Sequence, residues 1–183
     1  LMEKADPLFQ RSIFVIKRAL GDTHPNVATS LNQHALFLKD QQRYSEALSR
    51  YEEATELAAL ALTPGQEDVA VSLNNLATTI SGLVSLLDET ENYKNVLPSY
   101  ERAVATMEAS LGSEHLNVAH NLRTQARFYR RLKRYDGAIG LLTRALSIQR
   151  NTLPAEDKIV VDTQKELSRV LEEMERKRED LLQ

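Results

Sequence analysis

One group of arginines recurs at intervals of four, three and four residues: Arg123, Arg127, Arg130 and Arg134. At 100° per residue, this spacing places them within about 60° of one another on a helix. Like charges on one helical face repel by a few tenths of a kcal/mol per adjacent pair, and an acidic partner would relieve that repulsion. Arginine also binds carboxylates through a two-pronged fork. The stripe therefore predicts a binding surface for an acidic segment or a terminal carboxylate.

Two other interpretations of the arginine stripe stay open. It could be a solvated basic face with no ligand. Its arginines could also pair within the chain with acidic residues of the final predicted helix, namely Glu172, Glu173 or Glu175.

The residue types that most enzymes use for chemistry are scattered or missing. The chain has no cysteine, and its four histidines are spread out. His115 and His120 lie five residues apart, a spacing that does not put two metal ligands on one helix face. No phosphate-binding glycine loop and no HExxH motif occur. We therefore predict a protein that is not an enzyme and that uses no metal, cofactor or small-molecule substrate.

Composition excludes several further classes of protein. The 183 residues are 42% hydrophobic and 27% charged, with a formal net charge of −3. This charge gives no reason to expect a nucleic-acid partner. No apolar run approaches the roughly 18 residues of a membrane span. We expect an excerpt of a longer cytoplasmic protein that does not insert into membranes.

The elements that must position the arginines come from an internal repeat. Leu20, Leu62, Leu111 and Leu153 are separated by 42, 49 and 42 residues. The same spacing relates Val27, Val69 and Val118, and it relates Tyr44, Tyr93 and Tyr135. One unit therefore carries seven extra residues, between Ala77 and Tyr93. Each unit has apolar positions three to four residues apart in two segments, which predicts a pair of helices, A and B.

The repeat predicts an all-α fold, a solenoid of stacked antiparallel helix pairs. The eight expected helices are 5–20, 25–40, 44–61, 67–88, 92–111, 115–132, 135–152 and 157–181. We expect residues 1–183 to form a single domain. Its parts are the second helix of a truncated repeat (5–20), full repeats at 25–61, 67–111 and 115–152, and a capping helix at 157–183.

The phrases LGDTHPNVATSLN, from Leu20, and RYSEAL, from Arg43, resemble the long tetratricopeptide repeats of kinesin light chains and nephrocystin-3. The resemblance implies a right-handed superhelix whose concave groove is lined by the A helices. It implies an adaptor that binds a protein or peptide partner in this groove. It also implies links with cytoskeletal motors, microtubules or cilia.

The resemblance places particular side chains on the groove. They are Asn32, Asn74, Asn75, Arg123, Arg127, Arg130 and, on the last helix, Lys165 and Arg169. Asparagine side chains both donate and accept hydrogen bonds, so they can pair with a peptide backbone. The hypothesis is an acidic segment lying along these residues.

The insertion offers a second candidate surface. Seven residues are nearly two helical turns, so the apolar stripe of helix A drifts by only about 20°. We expect this helix to project past its neighbours with an exposed apolar tip of Leu83, Val84 and Leu87. Exposed apolar patches commonly mark contacts, which gives an alternative function: a scaffold that contacts folded partners through its convex surface and this tip. The other interpretation is that helix B also lengthens and covers the tip.

Overall fold

The computed structural model describes residues 5–61 and 69–182. These ranges contain eight helices and no strand. The helices are α1 (Ala5–Leu20), α2 (Pro25–Asp40), α3 (Tyr44–Ala61), α4 (Val69–Thr90), α5 (Tyr93–Leu111), α6 (Leu116–Arg131), α7 (Tyr135–Thr152) and α8 (Lys158–Leu182). Every predicted helix is present, and each end lies within two residues of its predicted position. The all-α prediction is confirmed.

The seven extra residues of the long repeat lengthen its first helix. Helix α4 has 22 residues, whereas the equivalent helices α2 and α6 have 16 each. Helix α5 has 19 residues, against 18 in α3 and in α7. The insertion therefore adds nearly two turns to α4 and leaves the second helix almost unchanged.

Two recurring histidines begin the A helices. The ring Nδ1 of His24 accepts a hydrogen bond from the backbone N–H of Asn26 at 3.1 Å, and His115 does the same for Asn117 at 3.1 Å. Each histidine thus satisfies one of the backbone donors that a helix N-terminus leaves unpaired. Two glycines precede them, Gly21 and Gly112, and both have positive φ (98° and 87°). This conformation is the expected glycine cap of the B helices.

The turns from A to B helices repeat a backbone conformation. Gln42, Glu91 and Lys133 have φ of 59°, 50° and 56°, and their positions are related by the repeat spacing. The left-handed region disfavours side chains other than those of Gly, Asn and Asp. These positions could not be predicted from the sequence, because none of them carries a residue typical of that conformation.

The chain divides into two compact units, Leu1–Ser110 and Leu111–Gln183, and the single domain stays a prediction. In the first unit α2 packs against α1, α3 and α4. Its core includes Val27, Ala28, Leu31 and Ala54. In the second unit α7 packs against α6 and α8. Two buried clusters hold this unit: Val118, Ala119, Leu122, Ala145 and Ile148, and then Ala126, Ala138, Leu142 and Val170.

A buried polar network joins α1 to the first full repeat. The ring Nε2 of His34, whose side chain is almost fully buried, lies 2.6 Å from Asp6 Oδ1. Arg43 donates to Asp6 Oδ2 at 2.8 Å and also pairs with Glu46. The hydrogen bond from Arg43, with a further one from His34, lowers the pKa of Asp6 below its ordinary value of 3.8. Asp6 therefore stabilises the fold when it is ionised.

We expect Asp6→Asn to reduce the free energy of unfolding by about 1 kcal/mol at pH 7, because a charged acceptor for two side chains is lost. A carboxylate with a lowered pKa stabilises above its unfolded pKa and loses this effect as the pH falls through its folded value. The difference between wild type and variant should therefore shrink below pH 3.8 in urea unfolding. Asp22→Asn, at an exposed turn position, is the control. A difference that does not change with pH would contradict the assignment.

Candidate functional site

A cavity of about 300 Å³ lies among α6, α7 and α8 in the second unit. Its lining residues are His120, Arg123, Thr124, Ala126, Arg127, Arg130, Leu142, Glu166, Arg169 and Val170. Helix α6 contributes three arginines of the predicted stripe, because a spacing of four and three residues keeps them on one face. The neighbouring face of α6 carries Leu122 and Ala126, which are buried in the core.

The cavity has a charged wall and an apolar floor. Four arginines face a single glutamate among the lining residues, for a formal charge of +3 with His120 neutral. The apolar lining residues Ala126, Leu142 and Val170 are all buried. This combination can hold a carboxylate group beside an apolar side chain.

Two of the arginines that line the cavity are paired with glutamates of α8. Arg123 donates from Nη2 to Glu166 Oε1 at 2.7 Å and from Nε to Glu166 Oε2 at 3.3 Å, which is the two-pronged arrangement. Arg130 Nη1 lies 3.4 Å from Glu173 Oε1. Pairing with Glu173 was one of the alternatives left open by the sequence. The Glu166 pair was not predicted, because the register of α8 against α6 cannot be read from the spacing within either helix.

The remaining basic residues differ in position. The Arg127 guanidinium lies 5.1 Å from the centre of the Phe128 ring, and its side chain is exposed. Arg169 lines both this cavity and a shallower depression along α8 that also includes the exposed Lys165. Arg134 lies outside the cavity, with its guanidinium 5.9 Å from the centre of the Tyr129 ring. The structure thus brings Arg123, Arg127, Arg130 and Arg169 together.

A second cavity, of about 450 Å³, lies among α2, α3 and α4 in the first unit. Its lining residues are Thr29, Asn32, Gln33, Leu36, Lys39, Tyr51, Asn75, Thr78, Ser81, Gly82 and Ser85. Leu36 is 51% exposed at its edge. The walls are mostly neutral, so this cavity differs in character from the arginine-lined one.

Asn32 and Asn75 line this cavity but are buried, with only 4% and 3% of their surfaces exposed. Asn32 Nδ2 donates to the Asn75 backbone oxygen at 3.0 Å, and Thr79 Oγ1 donates to Asn32 Oδ1 at 2.8 Å. Asn75 Nδ2 donates to the Pro25 backbone oxygen at 2.9 Å. These side chains therefore join α2 to α4. The predicted Asn74 side chain lies outside the described residues.

Tyr51 and Gly82 meet at the base of the same cavity. Tyr51 is 1% exposed, and burial raises the pKa of its hydroxyl to about 12. A Cβ atom on Gly82 would lie 2.2 Å from Tyr51 Cζ, far inside van der Waals contact. The tyrosine ring thus requires glycine at this position of α4. At the cavity's end Lys39 Nζ donates to Ser85 Oγ at 3.1 Å and to Glu89 Oε1 at 2.9 Å.

The expectation of an exposed apolar tip on α4 is corrected by the structure. Leu83 and Leu87 are 0% exposed, and Val84 is half-buried. The physical reason is that this part of α4 lies against its neighbours: Lys39 of α2 reaches Glu89, and Tyr51 of α3 packs on Gly82. These leucines therefore stabilise the fold and present no surface to a partner.

Within 5–61 and 69–182, no group of three or more His, Cys, Asp or Glu side chains is arranged to hold a metal ion. Among the helices described, none is both long and apolar enough to cross a membrane.

Repeated helix pairs joined by short turns make this chain a helical-repeat protein of the α-solenoid class. The tetratricopeptide repeat family model matches residues 1–59 and 75–151, and the chain belongs to the tetratricopeptide repeat family. Proteins with such repeats generally mediate protein–protein interactions. No curated protein sequence matches the chain.

Solved structures of tetratricopeptide-like repeats share the fold. One contains nearly identical repeats assigned to a kinesin light chain of Podosopora anserina, with 21% identity and a TM-score of 0.64. The match covers 97% of this chain and 81% of that one. A variant of the same protein gives the same values. The predicted likeness to kinesin-light-chain repeats is thus confirmed for the fold.

Proposed function

We propose that this protein is a non-enzymatic adaptor that binds an acidic peptide segment of a partner protein, with the arginine-lined cavity as the main site. The observation that carries this proposal is the lining of that cavity, in which four arginines face one glutamate. Arginine forks recognise carboxylates by two parallel hydrogen bonds, and this gives direction as well as affinity. Family membership supports a protein partner.

The cavity's geometry supports a particular mode of binding. Arg127 and Arg169 are exposed at the cavity, where an incoming carboxylate would meet them first. The floor of Ala126, Leu142 and Val170 accepts an apolar side chain next to that carboxylate. Lys165 extends the basic surface along α8. The preferred ligand is therefore a segment in which acidic residues flank an apolar one.

The cavity of the first unit supports a different kind of contact. Leu36 and Gln33 are exposed at its edge, and most of the other lining residues are neutral. We propose that it takes an uncharged peptide segment. The hydrogen-bonding groups of Asn32 and Asn75 are engaged between α2 and α4, so we assign these residues to positioning the cavity walls.

The proposed cellular setting of this adaptor rests on similarity. The repeats resemble those of kinesin light chains and nephrocystin-3, and from this resemblance we propose a cytoplasmic adaptor whose partners belong to motor-based or ciliary transport. The alternative, a scaffold that contacts folded partners, loses one of its two surfaces because Leu83 and Leu87 are buried.

Charge reversal tests the peptide site. We expect Arg123→Glu/Arg127→Glu to weaken binding of a fluorescent acidic peptide at least about tenfold in anisotropy titrations, because two carboxylate donors become repulsive. Binding by the wild type should weaken as salt is raised.

The control variant has the same net charge as the test variant. Arg176→Glu/Arg178→Glu makes the same change in charge on an exposed part of α8, and it should retain most of the affinity. A peptide with glutamine in place of glutamate should bind weakly to all three proteins. Equal affinity of the two double variants for the acidic peptide would overturn the proposal, as would a wild type that does not prefer the acidic peptide. Circular dichroism checks that both variants remain helical.

A further inference from the structure

The two ion pairs between α6 and α8 have matched spacings on the helices that carry them. Arg123 and Arg130 are seven residues apart on α6, and their partners Glu166 and Glu173 are seven residues apart on α8. Seven residues are nearly two turns and rise about 10.5 Å along a helix. The two glutamates therefore mark two carboxylate positions about 10 Å apart along the arginine stripe.

We propose that Glu166 and Glu173 occupy the positions that two carboxylates of the acidic ligand take, so that α8 competes with the ligand for Arg123 and Arg130. This inference rests on the proposed function and adds two properties to it. The first is the spacing of acidic residues that the site selects, and the second is a lowering of ligand affinity by competition from α8.

The geometry of the pairs supports competition. Glu166 engages two donors of Arg123 through both carboxylate oxygens, at 2.7 and 3.3 Å. A ligand carboxylate that binds the same guanidinium must displace Glu166, or it must lie beside Glu166 and be repelled by its like charge. The paired side chains are 20% and 44% exposed for Arg123 and Glu166, and 31% and 29% for Arg130 and Glu173. Both pairs are partly open to solvent, so screening limits their strength and a ligand carboxylate can reach the same guanidinium groups.

The spacing indicates which ligand fits. A helix with its side chains is about 10–12 Å across. A cavity of about 300 Å³ cannot take the full cross-section of such a helix. An extended segment in the polyproline II conformation rises about 3.1 Å per residue with three residues per turn. Its residues i and i+3 then lie on one face, about 9.3 Å apart. The site should select two acidic residues separated by two others.

The test uses peptides of one composition that differ in the spacing of two glutamates. Three peptides carry them at i and i+1, i and i+3, or i and i+6 in a neutral background, and a fourth replaces both with glutamine. Each is titrated by calorimetry into wild type, Glu166→Gln/Glu173→Gln and Glu175→Gln/Glu179→Gln. The last is the matched control, because it makes the same charge change on the same helix at two exposed positions.

We expect wild type to bind the i, i+3 peptide several-fold more tightly than its isomers. Glu166→Gln/Glu173→Gln should bind it more tightly still, by up to about fivefold for each ion pair removed. Glu175→Gln/Glu179→Gln should match wild type.

Two results would overturn the inference, and they are distinguishable. If acidic peptides bind better than the neutral one, but all spacings are equal and the two double variants have equal affinity, the competition model fails while the proposed function stands. If no acidic peptide binds better than the neutral one in any of the three proteins, the proposed function itself fails.

Discussion

Gly82→Ala is expected to lower the free energy of unfolding by about 2 kcal/mol, although alanine is the better helix former. The added methyl group would lie 2.2 Å from Cζ of Tyr51 and 2.4 Å from its hydroxyl oxygen. Relief requires the buried ring, or the spacing of α3 and α4, to move by about 1 Å or more, and overpacking of this kind typically costs about 1–3 kcal/mol. Urea unfolding followed by circular dichroism measures the change.

Gly140 provides the matched control for this substitution. It lies within α7, it is exposed, and a Cβ atom there would meet nothing within 4 Å. Gly140→Ala should therefore stabilise the protein by up to about 1 kcal/mol through helix propensity alone. If both alanine variants were more stable than wild type, the close contact between α3 and α4 would be refuted. A double-mutant cycle with Tyr51→Leu should also give a favourable coupling energy, since the smaller side chain leaves room for the methyl group.

Asn75→Ala is expected to cost about 2–3 kcal/mol of stability. The side chain donates to the Pro25 backbone oxygen and accepts from Thr29 Oγ1, both at 2.9 Å, at a site only 3% exposed. Its removal leaves buried polar groups without partners, and each such group costs about 1–3 kcal/mol. Chemical unfolding of the variant gives this loss directly.

The same variant separates a positioning role from direct ligand contact. An asparagine that served only the ligand would lose peptide affinity and keep its stability, so an unchanged unfolding midpoint would refute the bridge between α2 and α4. Gln33→Ala changes an exposed amide on the edge of the same cavity, and its stability should stay within about 0.5 kcal/mol of wild type.

The fold could be predicted closely because it repeats. Apolar positions three to four residues apart define each helix, and the 42-residue spacing checks one unit against the next. The features that could not be predicted, the helix caps and the turn conformations, depend on backbone geometry. His24 and His115 recur at equivalent positions, yet only the structure identifies the ring Nδ1 as the helix cap. Gln42 and Lys133 adopt positive φ because the turn between helices requires it, against their own preferences.

The candidate site could be predicted in part. Helical spacing placed Arg123, Arg127 and Arg130 on one stripe, and they line one cavity. Spacing gives the direction of a side chain but not its depth. Asn32 is therefore buried where an accessible groove residue was expected, and Leu83 is buried where an exposed tip was expected. Contacts between helices, such as that of Arg123 with Glu166, depend on how two helices align, which a single helix's periodicity does not contain.

The length of the insertion in α4 has a genetic consequence. Seven codons add nearly two helical turns, so every later residue of the helix keeps its direction within about 20°. Insertions of four or eleven codons would also keep the later side chains pointing in nearly the same direction around the helix axis. Insertions of five or nine codons would turn the rest of the helix by about 140° or 180°. Leu83 and Leu87 would then face water and polar residues would face the core. Insertions that persist in such helices should therefore be restricted to a few lengths, and the seven-residue insertion of the 49-residue unit is one of these lengths.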